Sequence, residues 1–545
     1  MAAVLMRATF ASIARNGSQQ LILFGRWSRA FTHHFDGENL EPADCVWTNN
    51  LYIRAARVTF SARSYVEAVM RRTVSLAILL IAICSSAVAF SRGARTANPA
   101  EPSPEAMLAG SSRMPPVSGW TIVHLTGTPA QIGYQHGYLL APEIADLQKV
   151  FLLELTHDTG KDWNFFRDAA KNMMWSHIEK EYRDEMQGIA DGLSARGVKL
   201  DVWDVVVMNG AEEWSYYVKE YDKEHKIASP STATAPDHCS AFVATGSYTK
   251  DGKVVIAHND WTGYMDGARW TIAFDIKPAN GYRFVMDGLP GLIHSGDDFG
   301  VNAAGIVITE TTITGFSGYD SNGIPEFVRA RKAMQYSASI DDVAKIFKEG
   351  NNGGYANDWL IADPRKNEIA SLELGLRNVT LERKTDGYFV GANFPISPKL
   401  AAEETDFDLK DPGISGNARH KRWEQLMKEN KGKIDVAAAQ RFLADHMDSL
   451  TGKNEPSERT LCGHVDLSPR GMGAWQPAYG TAGAVQNKAT DATMAAKLSF
   501  TAAAGHACGL DFVAAKHLAA HPELAWQKPE LRDMKAYPWT VVAAE

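Results

Sequence analysis

The chain has 545 residues, of which 45% are hydrophobic, 22% charged and 10% aromatic; this ordinary globular content excludes a disordered chain, a collagen-like repeat and a polytopic membrane protein. Its 64 acidic residues against 56 basic ones give a net charge of −8, so a basic nucleic-acid-binding surface is not expected. Five cysteines are too few for a disulfide scaffold, yet enough for one nucleophile and one bridge.

The strongest targeting signal starts at Met70, not at Met1. Met70-Arg71-Arg72 is a short cationic stretch, Thr73 to Cys84 is an apolar run too short for a comfortable membrane span, and Ala87-Val88-Ala89 ends in the small-x-small pattern of a signal-peptidase site. Residues 70–89 are therefore expected to be a signal peptide, and the protein to be exported. Residues 1–69 show no sustained period and carry arginine but no lysine. They are expected to be a spurious or unstructured extension upstream of a true start at Met70, with an organelle transit peptide as the alternative. Residues 90–119 read as a linker, rich in Ala, Ser and Pro as far as Pro116.

From Trp120 an extended piece leads through Thr126-Gly127-Thr128-Pro129 into a helix, and Asp146 to Ala195 has helical spacing of its apolar positions. Tyr221 to Asp237 is polar and rich in Pro and small residues, a loop. Ser240 to Tyr248 then alternates like a strand, Lys250-Asp251-Gly252-Lys253 is a hairpin turn, and Val254 to His258 is the returning strand. Strands are predicted at Trp270–Ile276, Tyr282–Met286, Gly305–Ile313, Trp359–Ala362, Ile369–Leu374, Asn378–Arg383 and Tyr388–Gly391. Helical periodicity covers Ile324 to Glu349, resumes near Arg419, and is expected at Asp491–Phe500 and Asp511–Ala520. Hairpin strands with helical blocks between them make an α+β protein with antiparallel sheets.

Chemistry is expected at Cys239. It follows the loop ending Pro236-Asp237-His238 and opens the first hairpin strand, and the hairpin brings it back beside His258-Asn259-Asp260-Trp261. A thiol near an imidazole, an amide and a carboxylate suits a nucleophile, but a buried cysteine is also a common small core residue, and the pattern alone leaves the two readings even.

Cys239-Ser240-Ala241 with His258-Asn259-Asp260-Trp261 resembles the start of the catalytic chain in the phospholipase B-like proteins. The resemblance continues through Leu289-Pro290-Gly291, Ser295-Gly296-Asp297-Asp298-Phe299, Thr309-Glu310-Thr311-Thr312-Ile313, Tyr355-Ala356-Asn357-Asp358-Trp359 and Ala392-Asn393-Phe394-Pro395. Upstream, Gln131-Ile132-Gly133-Tyr134-Gln135-His136-Gly137 is similar to the isopenicillin N acyltransferase-type proteins. Both groups are N-terminal nucleophile (Ntn) hydrolases. The resemblance implies an αββα sandwich, two stacked and mainly antiparallel sheets between helical layers. A retained helical segment, 120–238, would pack against a catalytic segment, 239–545.

It also implies self-cleavage between His238 and Cys239. The freed α-amino group of Cys239, with an ordinary pKa of about 7.7–8.0, would serve as general base, and its thiolate as the nucleophile that forms an acyl-enzyme. Asn393 is the first candidate for the oxyanion donor, with Asn259 or the backbone N–H of Asp260 as the second. Asp260 is expected to orient the α-ammonium, His258 to tune the thiol, and Arg419 to act as an electrostatic partner. The expected substrate is a small acylated molecule, a phospholipid or an N-acyl amide. Neither a cofactor nor a stable membrane span after signal removal is expected. The alternatives are a conventional cysteine protease without self-cleavage and a noncatalytic binding protein on the same fold.

Asp297-Asp298 and Glu310 are assigned no catalytic role. Cys462-Gly463-His464 and His506-Ala507-Cys508 contain the residue types of a Cys2His2 metal site, but Cys-x-His is unlike the usual zinc spacing and the expected compartment is oxidising. A Cys462–Cys508 disulfide, and no metal, is therefore the expectation.

Overall fold

The computed structural model describes residues 103–227, 239–296, 299–473 and 475–545. The expected extension (1–69), signal peptide (70–89) and first part of the linker lie outside the described residues. So do most of the loop before Cys239, His238 included, and Asp297-Asp298.

Fifteen strands form two sheets among the described residues. The first runs in the order β1 (Ser112–Arg113), β2 (Thr121–Gly127), β5 (Ile272–Pro278), β6 (Phe284–Gly288), β7 (Gly300–Asn302), β8 (Val307–Thr312), β9 (Asn357–Asp363), β10 (Glu368–Leu374), β11 (Val379–Lys384). The second runs β12 (Gly387–Gly391), β3 (Ser240–Thr245), β4 (Val255–Gly263), β13 (Ala482–Asp491), β14 (Ser499–Ala504), β15 (Thr540–Ala543). Every pairing is antiparallel except β2 with β5.

The period of two along each strand builds the layers. Ala241, Val243 and Ile256 of the second sheet meet Ala273, Val285, Val307 and Leu360 of the first in one buried cluster between the sheets. Their strand neighbours point the other way. Phe242, Ala244, Val255 and Ala257 pack under helices Ser415–Glu429 and Val436–Leu443 through Trp423, Leu426 and Phe442. Ile272, Phe274, Ile308 and Ile361 pack under a second helical layer that includes Pro129–Leu139, Ala141–Thr159, Lys180–Ala195 and Glu326–Tyr336. The architecture is an αββα sandwich of mixed α+β class.

The residues before Cys239 are not wholly helical. They contribute β1 and β2 to the edge of the nine-stranded sheet, with β2 paired to β5 from beyond Cys239. The Gln131–Gly137 motif lies on helix Pro129–Leu139, entered through a Thr128/Gln131 capping box. Gln135 bridges the backbone of Thr126 and Met107, and His136 accepts a 2.8 Å hydrogen bond from the Gly291 N–H. Burial pushes the His136 imidazole down to about 3, so it stays neutral and able to accept.

This helix crosses Lys180–Ala195 glycine against glycine. A Cβ on Gly133 would run into the Glu185 carbonyl, and one on Gly188 into that of Ala130. The contact is backbone on backbone and neither side can yield. Gly133→Ala is expected to lose about 3 kcal/mol of stability despite alanine's better helix propensity, read as a lower urea midpoint at unchanged slope.

A second prediction concerns Asp358, 1% exposed on β9 and directly opposite Glu373 of β10. Burial, aided by the Glu373 charge, pushes its carboxyl up to about 7 although Ser371 donates a 2.6 Å hydrogen bond to it. The unfolded chain releases this proton near its ordinary value of 3.8, the folded chain only near 7. The folded state thus holds the extra proton between those values, and stability falls as pH rises through that window. Asp358→Asn should match the parent below pH 4 and exceed it above pH 7 by on the order of 4 kcal/mol, measured as thermal midpoints against pH.

Some expectations for local structure change, and one strand was not foreseen. The helical run Ile324–Glu349 is two helices, Glu326–Tyr336 and Ile340–Lys348. Asn302 takes the carbonyls of Met334 and Ser337, and Ser339 caps the second helix. The helix expected at Asp491–Phe500 is one turn, Ala492–Ala495, between β13 and β14. β13 itself had no predicted counterpart. It is buried on both faces, so its sequence shows no apolar–polar alternation.

Candidate active site

The Asp251-Gly252 turn fixes the β3–β4 register, with Ser240 opposite Asn259 and Ala241 opposite His258. One residue further out, the Cys239 thiol lies 3.7 Å from Asp260 Oδ1. From the other sheet, Glu310 of β8 brings Oε1 to 3.8 Å of the same sulfur. His258 places a ring nitrogen within 4.8 Å of both the thiol and the Glu310 carboxylate. Cys239, His258, Asp260 and Glu310 are all essentially buried. The backbone of Cys239 has φ +88°, a left-handed conformation that a residue with a Cβ adopts only at a cost of about 1–3 kcal/mol.

Arg419, fully buried on helix Ser415–Glu429, ties the group together. Its Nη1 donates to the Cys239 carbonyl and, at 3.0 Å, to Ser240 Oγ; Nη2 donates to Asn393 Oδ1 at 2.9 Å, and Nε to Ser415 Oγ at 2.9 Å. Its guanidinium carbon lies 4.3 Å from the centre of the Trp261 ring. Asn393 follows β12 at φ +61°, where Nδ2 donates to the Thr312 carbonyl at 3.0 Å. That bond uses one of its two amide hydrogens.

Asn259 is placed differently. Its Oδ1 accepts from the Ser240 N–H at 3.2 Å, while Nδ2 donates to the carbonyls of Leu443 and Leu461 at 3.2 and 2.7 Å. Both amide hydrogens are committed, which makes Asn259 a tether for the strand that starts beside Cys239. Of the residues named from the sequence, Cys239, His258, Asn259, Asp260, Asn393 and Arg419 converge here; His238 lies outside the described residues.

Sequence reasoning gave no role to Glu310 and passed over Tyr355. Tyr355 donates a 3.2 Å hydrogen bond to Glu310 Oε1 and accepts one from Thr312 Oγ1 at 3.0 Å. Burial, with the Glu310 charge, holds its phenol well above the usual range, so it remains a donor. The signal for Glu310 was an acid within an otherwise neutral strand buried along its whole length. A buried Lys488–Asp287 pair at 3.2 Å was missed for the same reason as β13, and Lys488 stands opposite His258 in register.

Two residues beyond Asp260, β4 enters the wall of a cavity of about 490 Å³, lined in part by Glu154, Glu212, Tyr264, Asp266, Trp475 and Trp526. Burial raises the carboxyls of Glu154 and Asp266, and the Asp266 charge pushes Glu154 up further.

Cys462 and Cys508 lie side by side, as the expected bridge requires, but the structure carries both as free thiols. His464 Nε2 stands between them, 3.6 Å from one sulfur and 3.4 Å from the other. No helix among the described residues is long and apolar enough to cross a membrane.

A sequence model of the Phospholipase B family matches residues 157–376. A protein of Archaeoglobus fulgidus described as uncharacterized is 26% identical over 262 residues, 46% of this chain and 42% of that protein. Phospholipase B-like 2 of Mus musculus is 26% identical over 316 residues, 49% of this chain and 52% of the relative. The chain thus spans about half or less of the length of these relatives. A conjugated bile acid hydrolase from Clostridium perfringens aligns at 11% identity and a TM-score of 0.29 over 48% of this chain and 88% of that one, a likeness too slight to argue from. The chain is thus similar to the phospholipase B-like proteins, and the Phospholipase B family model matches it across residues 157–376.

Proposed function

We propose that the chain is an exported hydrolase that cuts itself before Cys239 and then cleaves acyl esters or amides through an acyl-enzyme on that residue. The observation that carries this reading is the buried thiol at the mouth of β3, between the Asp260 and Glu310 carboxylates and with Arg419 on its own carbonyl. In the first reaction the thiol adds to the His238 carbonyl, the Cys239 nitrogen leaves as an amine and a thioester remains; water then releases a new carboxylate on His238. The left-handed backbone at Cys239 raises the ground state of the bond that breaks.

The product is a cysteine with a free α-amino group beside its own thiol. Asp260 and Glu310 are placed to hold the ammonium form and shuttle its proton. The thiolate then attacks an acyl carbonyl and expels an alcohol or amine, which leaves with the proton. The remaining Asn393 amide hydrogen, on a side chain locked by Arg419 and Thr312, meets the developing oxyanion. The cavity beyond β4 suits the rest of a small acylated substrate, a phospholipid or an N-acyl amide. Its aromatic rings offer apolar surface and its carboxyls favour a positively charged or hydrogen-bonding group.

Rapid acid quenching during turnover of matched acyl esters and amides, followed by mass analysis, tests this. The acyl mass should appear on the fragment beginning at Cys239. Turnover with the acyl group on another residue, or with none trapped from any substrate, would count against the acyl-enzyme.

A further inference from the structure

Outside the site around Cys239, two thiols and two imidazoles converge: His446, Cys462, His464 and Cys508 each bring one ligating atom into a group whose members all lie within 4.8 Å of one another. We propose that these four residues bind a zinc ion that fastens the segment around Cys462–His464 to the turn after β14.

The chemistry and the spacing agree. Two sulfurs and two imidazole nitrogens are a set that zinc takes tetrahedrally, with bonds of about 2.3 Å to sulfur and 2.0–2.1 Å to nitrogen, so the S–N edges of the tetrahedron are about 3.6 Å. The edges from His464 Nε2 to Cys462 and Cys508 are 3.6 and 3.4 Å. A pair of thiols heading for a disulfide needs no imidazole between them. The far nitrogen of His464, Nδ1, faces Asp466 Oδ1 at 3.7 Å, and that oxygen accepts a 2.8 Å hydrogen bond from the Tyr264 hydroxyl. A carboxylate behind a histidine, itself held by a second donor, is the support that orients metal-ligating imidazoles. His506, two residues before Cys508 and part of the Cys2His2 composition noted in the sequence, packs tilted on His464 at 4.0 Å between ring centres, while His446, sixteen residues before Cys462, completes the set.

Four protein ligands close the coordination sphere, which makes the ion structural rather than catalytic. The element it fastens reaches the nucleophile by two routes. Leu461, next to Cys462, supplies the carbonyl that holds Asn259, and Asn259 holds the Ser240 N–H. Gly463 lies against the Trp261 ring, on which Arg419 stacks.

The full chain, purified without chelator from zinc-supplemented cells, should carry about one zinc through gel filtration, and Cys508→Ser and His446→Ala should each lower that below about a tenth. Because such variants can misfold, the unaltered chain provides a second readout. Stripped under reducing conditions and reloaded with cobalt, it should show thiolate-to-cobalt charge-transfer absorption with tetrahedral d–d bands, and a melting temperature that falls on stripping and recovers on zinc addition. Three results would overturn the proposal: no stoichiometric metal, a protein two protons lighter with Cys462 and Cys508 in one disulfide-linked peptide, or cobalt bound without a thiolate band.

Discussion

Cys239→Ala is expected to leave the chain uncut at 238–239 and to lower turnover by about 10⁴-fold or more, the scale of losing a nucleophile whose partners act only through it. Alanine fits the space, since Cys239 forms no disulfide in the fold and its sulfur lies 3.7 and 3.8 Å from the Asp260 and Glu310 carboxylates, longer than a close polar contact. Thermal stability should therefore change little, which separates lost chemistry from lost structure. Cys239→Ser should cut slowly, because a hydroxyl is a poorer nucleophile than a thiol at neutral pH. Full activity in an uncut Cys239→Ala chain would remove Cys239 from the chemistry altogether.

Arg419→Lys is expected to reduce kcat by about 10²-fold with little change in KM, because lysine keeps the charge but not the planar fork. Arginine reaches the Cys239 carbonyl, Ser240 Oγ, Asn393 Oδ1 and Ser415 Oγ at once, and an ammonium cannot hold that divergent set. Asn393 would lose the bond that fixes its amide, and Cys239 the donor on its carbonyl. The two losses would misplace the proposed oxyanion donor and the proposed nucleophile together. A split between kcat and KM distinguishes this from substrate binding, and unchanged circular dichroism distinguishes it from unfolding.

The residues around Cys239 were legible because one hairpin carries most of them. An Asp-Gly turn sets the register, the period of two sets the faces, and Cys239, His258 and Asp260 then have to meet. Asn393 and Arg419 came from family resemblance, since no local spacing brings a residue after β12 and one on a helix to Cys239 and its neighbours. Glu310 was visible as an acid in a buried strand, but its partner across the sandwich was not. β13 escaped because its interior carries Gln486 and Lys488, which Asp287 satisfies from the other sheet. Residues whose partners lie in another layer do not announce their burial through hydrophobicity. The same holds for His446, which shares no short motif with Cys462, His464 or Cys508.

N-terminal sequencing and intact-mass analysis of the purified protein test the central claim most directly. The account predicts two fragments that stay associated, because β2 pairs with β5 across the cut, and one of them begins at Cys239. A single fully active chain with the His238–Cys239 bond intact, before and after incubation at low pH, would contradict it.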